Sequence, residues 1–159
     1  MSIRRNLLLA LAVAFPLAAC GEDESRPYFT FAGGGFIFNY RNADLYYGFV
    51  LKRERDAPEG AEIEVTFELP EPLEQHVEKV PVRRGVMQYT FRTPDLPGVE
   101  KNRDYVAVVR ILDGNRELAR YSKSFRTDVE TSTLPGEPLV VGPGYEPNPA
   151  LPPPGAAQN

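Results

Sequence analysis

Between Tyr28 and Asp128, apolar and polar residues alternate with period two, and turn-forming residues interrupt the alternation at short intervals. The clearest run places Ile63, Val65, Phe67 and Leu69 on one face and Glu62, Glu64, Thr66 and Glu68 on the other. Successive side chains of an extended chain point to opposite faces, so such a run predicts a strand with one face on a core and one in water. Phe36–Phe38–Tyr40, Tyr47–Phe49–Leu51 and Met87–Tyr89–Phe91 repeat the pattern, and Val80 with Val82 ends a weaker one. Tyr105 to Leu112 is almost continuously apolar, which predicts a central strand covered on both faces. Asp113-Gly114-Asn115 is a hairpin signal, and the return strand runs from about Leu118 to Arg126 with Ala119, Tyr121 and Phe125 on one face. Seven strands with no convincing helix predict an all-β domain, an antiparallel β-sandwich.

A second feature precedes the alternating region. Arg4 and Arg5 are followed by an apolar run from Leu7 to Leu17, and then by Ala18, Ala19 and the single cysteine, Cys20. The run is short of the roughly 20 residues that span a bilayer, and with its basic start it reads as a signal segment that is removed. Leu17-Ala18-Ala19-Cys20 resembles the lipobox of bacterial lipoproteins, and the chain as a whole resembles the small, uncharacterised lipoproteins of the proteobacterial type. The resemblance implies cleavage after Ala19 and a mature N-terminus at Cys20 carrying a thioether-linked diacylglycerol and an N-acyl chain such as palmitate. One acyl chain holds a protein weakly and two or three hold it stably, at roughly 0.8 kcal/mol per buried methylene. Acylation also removes the liability of a lone thiol in an oxidising compartment. The implied location is the cell envelope, facing the periplasm. Gly21, rather than aspartate, follows the cysteine, and this favours the outer membrane over the inner one.

Without residues 1–19 the chain keeps sixteen basic and twenty-two acidic residues, a net charge of −6. That balance argues against nucleic-acid partners and against purely electrostatic docking on anionic lipid. Residues 20–27 read as the acylated cysteine and a short tether; seven residues reach at most about 25 Å. Residues 28–128 form the sandwich domain and 129–159 a proline-rich extension with eight of the chain's 16 prolines. Leu139-Val140-Val141 is a candidate edge strand of the domain. From about residue 143 the composition predicts a disordered or polyproline-like tail that offers Pro149–Pro154 to an aromatic groove.

The stretch from Leu96 through Tyr105–Val109 and the following hairpin resembles the corner and last two strands of fibronectin type III and immunoglobulin-like domains. That resemblance implies that the Tyr105 hydroxyl ties the corner down. The chain departs from the pattern in having no tryptophan, no cysteine pair and a longer spacing from Leu96 to Tyr105 than the pattern has.

No grouping of residues points to catalysis, and the chain reads as a non-enzyme without cofactor or metal. His76, the one histidine, lies in what reads as a polar connection, with no Gly-x-Ser-x-Gly elbow elsewhere. The acidic groups Asp56/Glu59/Glu62 and Glu68/Glu71/Glu74 fix no carboxylate pair at glycosidase spacing. Gly33–Gly35 lacks the Lys-Ser/Thr ending and the helix of a phosphate loop. Nine of the 17 aromatic residues fall between Tyr28 and Phe49, more than one sheet face buries. Tyr28, Tyr46 and Tyr47 are therefore the candidate binding surface, for another envelope protein or, alternatively, for peptidoglycan or a surface polysaccharide. The anchor is the most specific expectation. Mass spectrometry of the mature N-terminus should give an acylated Cys20 after loss of residues 1–19, and no lipid mass in Cys20→Ser.

Overall fold

The structure, a computed structural model, describes residues 24–151; the lipobox with Cys20 and residues 152–159 lie outside them. Seven principal strands form: β1 (Phe29–Asn39), β2 (Asp44–Arg53), β3 (Glu62–Glu68), β4 (Gln75–Pro81), β5 (Gln88–Arg92), β6 (Tyr105–Asp113) and β7 (Arg116–Phe125). They make two antiparallel sheets, β1-β2-β5 and β4-β3-β6-β7, the three-on-four layout of an immunoglobulin-like sandwich. The expected all-β antiparallel sandwich is the architecture found.

The glycine run sits inside β1 and has a specific use there. Phe29 and Phe31 occupy odd positions, whereas Phe36 and Phe38 occupy even ones, so an uninterrupted strand would send one pair into solvent. The register slips between Phe31 and Gly33, leaving Ala32 as the extra residue of a β-bulge. Phe31 then lies opposite Leu51, and Phe36 opposite Tyr47, both on the inner face. Gly34 takes φ +152°, and an added Cβ there would lie 2.6 Å from the Phe49 Cβ and 2.9 Å from the Phe125 ring. Directly across from Gly35 lies Gly48, where a Cβ would strike the Phe91 carbonyl. The run is therefore a structural device of the sandwich.

The core is aromatic, in place of the missing tryptophan. Tyr47 lies 5.1 to 6.2 Å from the rings of Phe36, Phe67, Phe125 and Tyr105. Phe49 continues the stack toward Phe31, Phe67, Phe91 and Phe125. Ile63, Val65, Val109 and Ile111 complete it from the second sheet with no exposed surface. Tyr105 is equally buried, and its hydroxyl accepts a hydrogen bond from the Glu100 amide at 3.0 Å, five residues upstream. That is the corner bond the resemblance implied.

Several local expectations need correction. β6 is central, but burial alternates along most of it; Val106, Val108 and Arg110, on the outer face, are only half-buried. Glu64 is buried rather than solvated, because Lys79 (2.8 Å) and Arg110 (2.7 Å) close over its carboxylate from the flanking strands. His76 belongs to β4, half-buried opposite Phe67, with the rings 6.1 Å apart. Val140–Val141 (β8) pairs with Glu146–Pro147 (β9) in a small hairpin of its own instead of joining a sheet. Residues 143–151 thus carry turn and hairpin structure where a polyproline-like tail was expected.

Two outcomes follow for stability. Tyr105→Phe deprives the Glu100 amide of its acceptor and should cost about 1 kcal/mol, read as a lower urea midpoint with an unchanged m-value. On the outer face Arg120 and Arg110 hold the Glu117 carboxyl down at about 2, and Lys79 and Arg110 depress Glu64. Carboxyls lowered by folding stabilise the native state above their unfolded pKa, and that contribution is lost as pH falls through the folded value. An acid titration should therefore show stability declining from about pH 4.5 toward pH 2, and Glu117→Gln should flatten that decline.

Candidate functional site

β1 and β2 form one long hairpin, so their register fixes the two ends of the domain. Phe29 pairs with Arg53 where the chain joins β1, and Asn39 pairs with Asp44 at the hairpin tip, roughly 30 Å away along the strand. At the tip, Tyr40 and Arg41 turn the chain, and the Arg41 amide donates to the Asn39 side-chain oxygen at 3.0 Å. The loop between β5 and β6 is fastened beside them: Leu45 donates to Asp95 at 2.7 Å, and Leu96 donates back to the Leu45 carbonyl at 2.7 Å.

The residues after β7 wrap this same end. The Asn102 amide donates to the Thr127 carbonyl at 2.8 Å, and the Thr131 hydroxyl donates to the Val99 carbonyl at 2.8 Å. Between this wrap and the inner edge of the hairpin lies an apolar groove of about 140 Å³, lined chiefly by Phe36, Phe38, Tyr40, Leu45, Val129 and Leu134. Phe38 and Tyr40 meet edge to face at 4.8 Å. Further on, the Leu139 amide donates to the Tyr40 carbonyl at 3.2 Å, and the β8–β9 hairpin carries Tyr145 back to Arg41. Arg41 donates to the Tyr145 hydroxyl at 3.1 Å and stacks on its ring at 4.8 Å.

Beside this groove Tyr40, Val129, Leu139 and Tyr145 stay substantially exposed, the last at 60 %, and Ile37 is exposed on the other face of the hairpin. Tyr145 also has φ +56°. A left-handed backbone costs an L-residue roughly 1–2 kcal/mol and suits glycine or asparagine. A bulky aromatic is held there by the hairpin and presented to solvent. Strain of this kind points toward function from an observed outlier.

The residues singled out in the sequence are distributed differently. Tyr47 is fully buried, so its place in a binding surface is withdrawn: it shares the inward parity of Phe49 and Leu51. Tyr28 is half-buried under the Arg55 guanidinium, 3.7 Å from its ring, and Tyr46 is half-buried with Arg92 at 4.8 Å. The two stand near opposite ends of the β1–β2 ladder and form no common platform. Leu17, Ala18, Ala19 and Cys20 lie outside the described residues. Sequence reading missed Tyr40 and Tyr145 as a site. Tyr40 passed for one more alternating aromatic, and the one signal for Tyr145 was a lone tyrosine in a proline-rich extension.

Among the described residues, no three His, Cys, Asp or Glu side chains gather to hold a metal ion. Glu68 of the second acidic group is engaged with Arg103 at 3.3 Å and with the Val106 amide at 3.0 Å. No helix among the described residues is long and apolar enough to cross a membrane.

No family model matches the chain, and no curated protein matches it. Among solved structures, a presumed beta-galactosidase from Bacteroides fragilis aligns over 63% of this chain at 16% identity with a TM-score of 0.37. The chain spans 16% of that protein's length, and a likeness this distant carries no inference about site or substrate.

The strained tyrosine yields a stability test. Tyr145→Gly relieves the left-handed penalty of roughly 1–2 kcal/mol and gives up the exposed Arg41 hydrogen bond and one cation–π contact, together about 1–2 kcal/mol. Its urea midpoint should stay close to that of the wild type. A marked drop would make Tyr145 a packing residue.

Proposed function

We propose that the protein is a lipid-anchored component of a bacterial cell envelope, and that it captures another envelope protein through the Tyr40–Tyr145 end of its sandwich. The observation that carries this reading is Tyr145, a strained and exposed aromatic held beside Tyr40, Leu139 and an apolar groove. Tyrosines with apolar neighbours and an adjacent arginine are the composition from which interface hot spots are built.

The anchor and the surface fit one another. A diacylglycerol on Cys20, followed by a tether of about 25 Å at most, keeps the start of β1 near the bilayer. The hairpin tip then lies roughly 30 Å further out, facing away from the anchor. In this reading the protein is not an enzyme, and catalysis has no part in its role. The carbohydrate alternative relied on Tyr28, Tyr46 and Tyr47. One is core and the others have a ring face occupied by arginine, so a protein partner is preferred.

The test is recovery of crosslinked partners from envelopes carrying wild-type protein, Tyr145→Gly, or Tyr40→Ala with Tyr145→Gly. The expected result is a reproducible partner with wild type, reduced at least tenfold with the double variant, at unchanged membrane association and folding. Equal recovery from all three, or none that repeats, overturns the reading.

A further inference from the structure

At the other end of the sandwich, where the chain joins β1, a cleft of about 420 Å³ opens between the β2–β3 loop and the β4–β5 turn. Its lining includes charges of both signs, Arg53 and Arg84 with Asp56 and Glu59, beside Ala57, Pro58 and Val82. Arg53 continues the inward positions of Tyr47, Phe49 and Leu51 and is 6% exposed. A guanidinium so placed carries a desolvation penalty that only full pairing offsets. Its pairing is incomplete. One terminal nitrogen donates to Asp56 at 3.2 Å, and the other to the Arg83 carbonyl at 2.7 Å and the Tyr89 hydroxyl at 3.3 Å. Its Nε–H has no acceptor among the described residues. The Tyr89 hydroxyl in turn accepts from the Arg83 amide at 2.7 Å, which fixes the β4–β5 turn over Arg53.

That turn offers more than it uses. Arg84 is exposed and makes no hydrogen bond or ion pair among the described residues. Glu59 stands in the same condition across the cleft. Met87, whose carbonyl accepts from the Arg53 amide at 2.9 Å, leaves more than half of its side chain in solvent.

We propose that this cleft receives the zwitterionic headgroup of a phospholipid, a phosphodiester bearing a primary ammonium. The phosphodiester lies against Arg84 above Arg53, the ammonium faces Glu59, and Met87 meets the glycerol and acyl region. A planar guanidinium fork matches phosphate oxygens, and Arg84 supplies it, since the charge of Arg53 is already paired with Asp56. A plain anion would be repelled by Glu59, so the paired signs select a ligand that carries both. The chain's net negative charge, which argues against docking on anionic lipid, does not oppose a neutral headgroup. The proposal rests on the anchored reading for one point, that a bilayer lies near this end of the domain.

The test uses the mature chain with Cys20→Ser, made without the signal segment so that no acyl anchor contributes. It is titrated with dihexanoyl phosphatidylethanolamine below its micelle concentration, and the amide and arginine Nε–H resonances of residues 53 and 83–87 are followed by NMR. Saturable shifts are expected, at least fivefold weaker with dihexanoyl phosphatidylglycerol and absent with dihexanoylglycerol. Arg84→Ala should weaken binding at least fivefold, and Glu59→Gln should abolish the preference for the ammonium headgroup. Both substitutions are at exposed positions, and undisturbed spectra away from the cleft verify their folding. An equal or stronger response to phosphatidylglycerol, an equal response to dihexanoylglycerol, or no saturable shift overturns the proposal. Equal affinity for glycerophosphoethanolamine would make the ligand a soluble one and overturn its membrane source. Failure of the anchored reading is read separately, as an unacylated Cys20 in the native protein.

Discussion

Tyr47 lies between the two sheets with no exposed surface, and its hydroxyl donates to the Glu68 carbonyl at 2.6 Å. A buried phenol is costly unless its polar end is satisfied, and here one residue at the end of β3 supplies the acceptor. The Glu68 carboxylate meanwhile accepts the Val106 amide of β6 and pairs with Arg103 of the loop before it. Three segments are thereby fixed relative to β2: the end of β3, the start of β6 and the loop that leads into it. Burial, with the Glu68 charge close by, pushes the Tyr47 phenol well above its ordinary range, so the group stays protonated and keeps donating. The rings of Phe36, Phe67, Phe125 and Tyr105 close around it, which sets the spacing of the sheets.

This arrangement requires Phe36 to face inward, and that depends on the bulge at Ala32. Without the extra residue, either Phe29 and Phe31 or Phe36 and Phe38 would leave the core, because a register slip of one inverts every side chain beyond it. The glycines after Ala32 make the correction sterically feasible. Gly34 passes beneath Phe125 and Gly48 lies against the Phe91 carbonyl, where no side chain fits. The local weakness of glycine in a strand is thus tied to the placement of four aromatic rings.

Period-two alternation made most of the strands legible, because each has one face on a common core, and a continuous apolar run marked β6. The same rule separates two residues of the expected binding surface. Tyr46 and Tyr47 are adjacent and so face opposite ways, and Tyr47 shares the parity of Phe49 and Leu51. The position of Tyr105 was legible from its place at the start of the apolar strand that leads into the hairpin, although the bond to Glu100 exists only once the loop folds back. The Tyr40–Tyr145 surface was not legible. It joins residues more than a hundred positions apart through Arg41 and the Leu139 amide, and no local pattern encodes such contacts. Arg53 was hidden for a related reason. An arginine at an inward parity reads as the end of a strand, and only the turn that closes over it reveals a buried guanidinium.

The two ends of the sandwich differ in the physics they offer. At the hairpin tip, apolar and aromatic groups stay exposed while the neighbouring backbone is well bonded, so binding there would gain from desolvation with little ordering cost. Where the chain joins β1, the exposed groups are charges of both signs around an incompletely paired guanidinium, so a ligand there would gain from electrostatic pairing and lose by burying anything unpaired. The sandwich between them is stiff, stacked aromatic to aromatic, and a stiff body about 30 Å long holds the two surfaces apart. An orientation imposed at the charged end would therefore fix where the tyrosine end points. Mean composition conceals this polarity, since a net charge of −4 describes neither end.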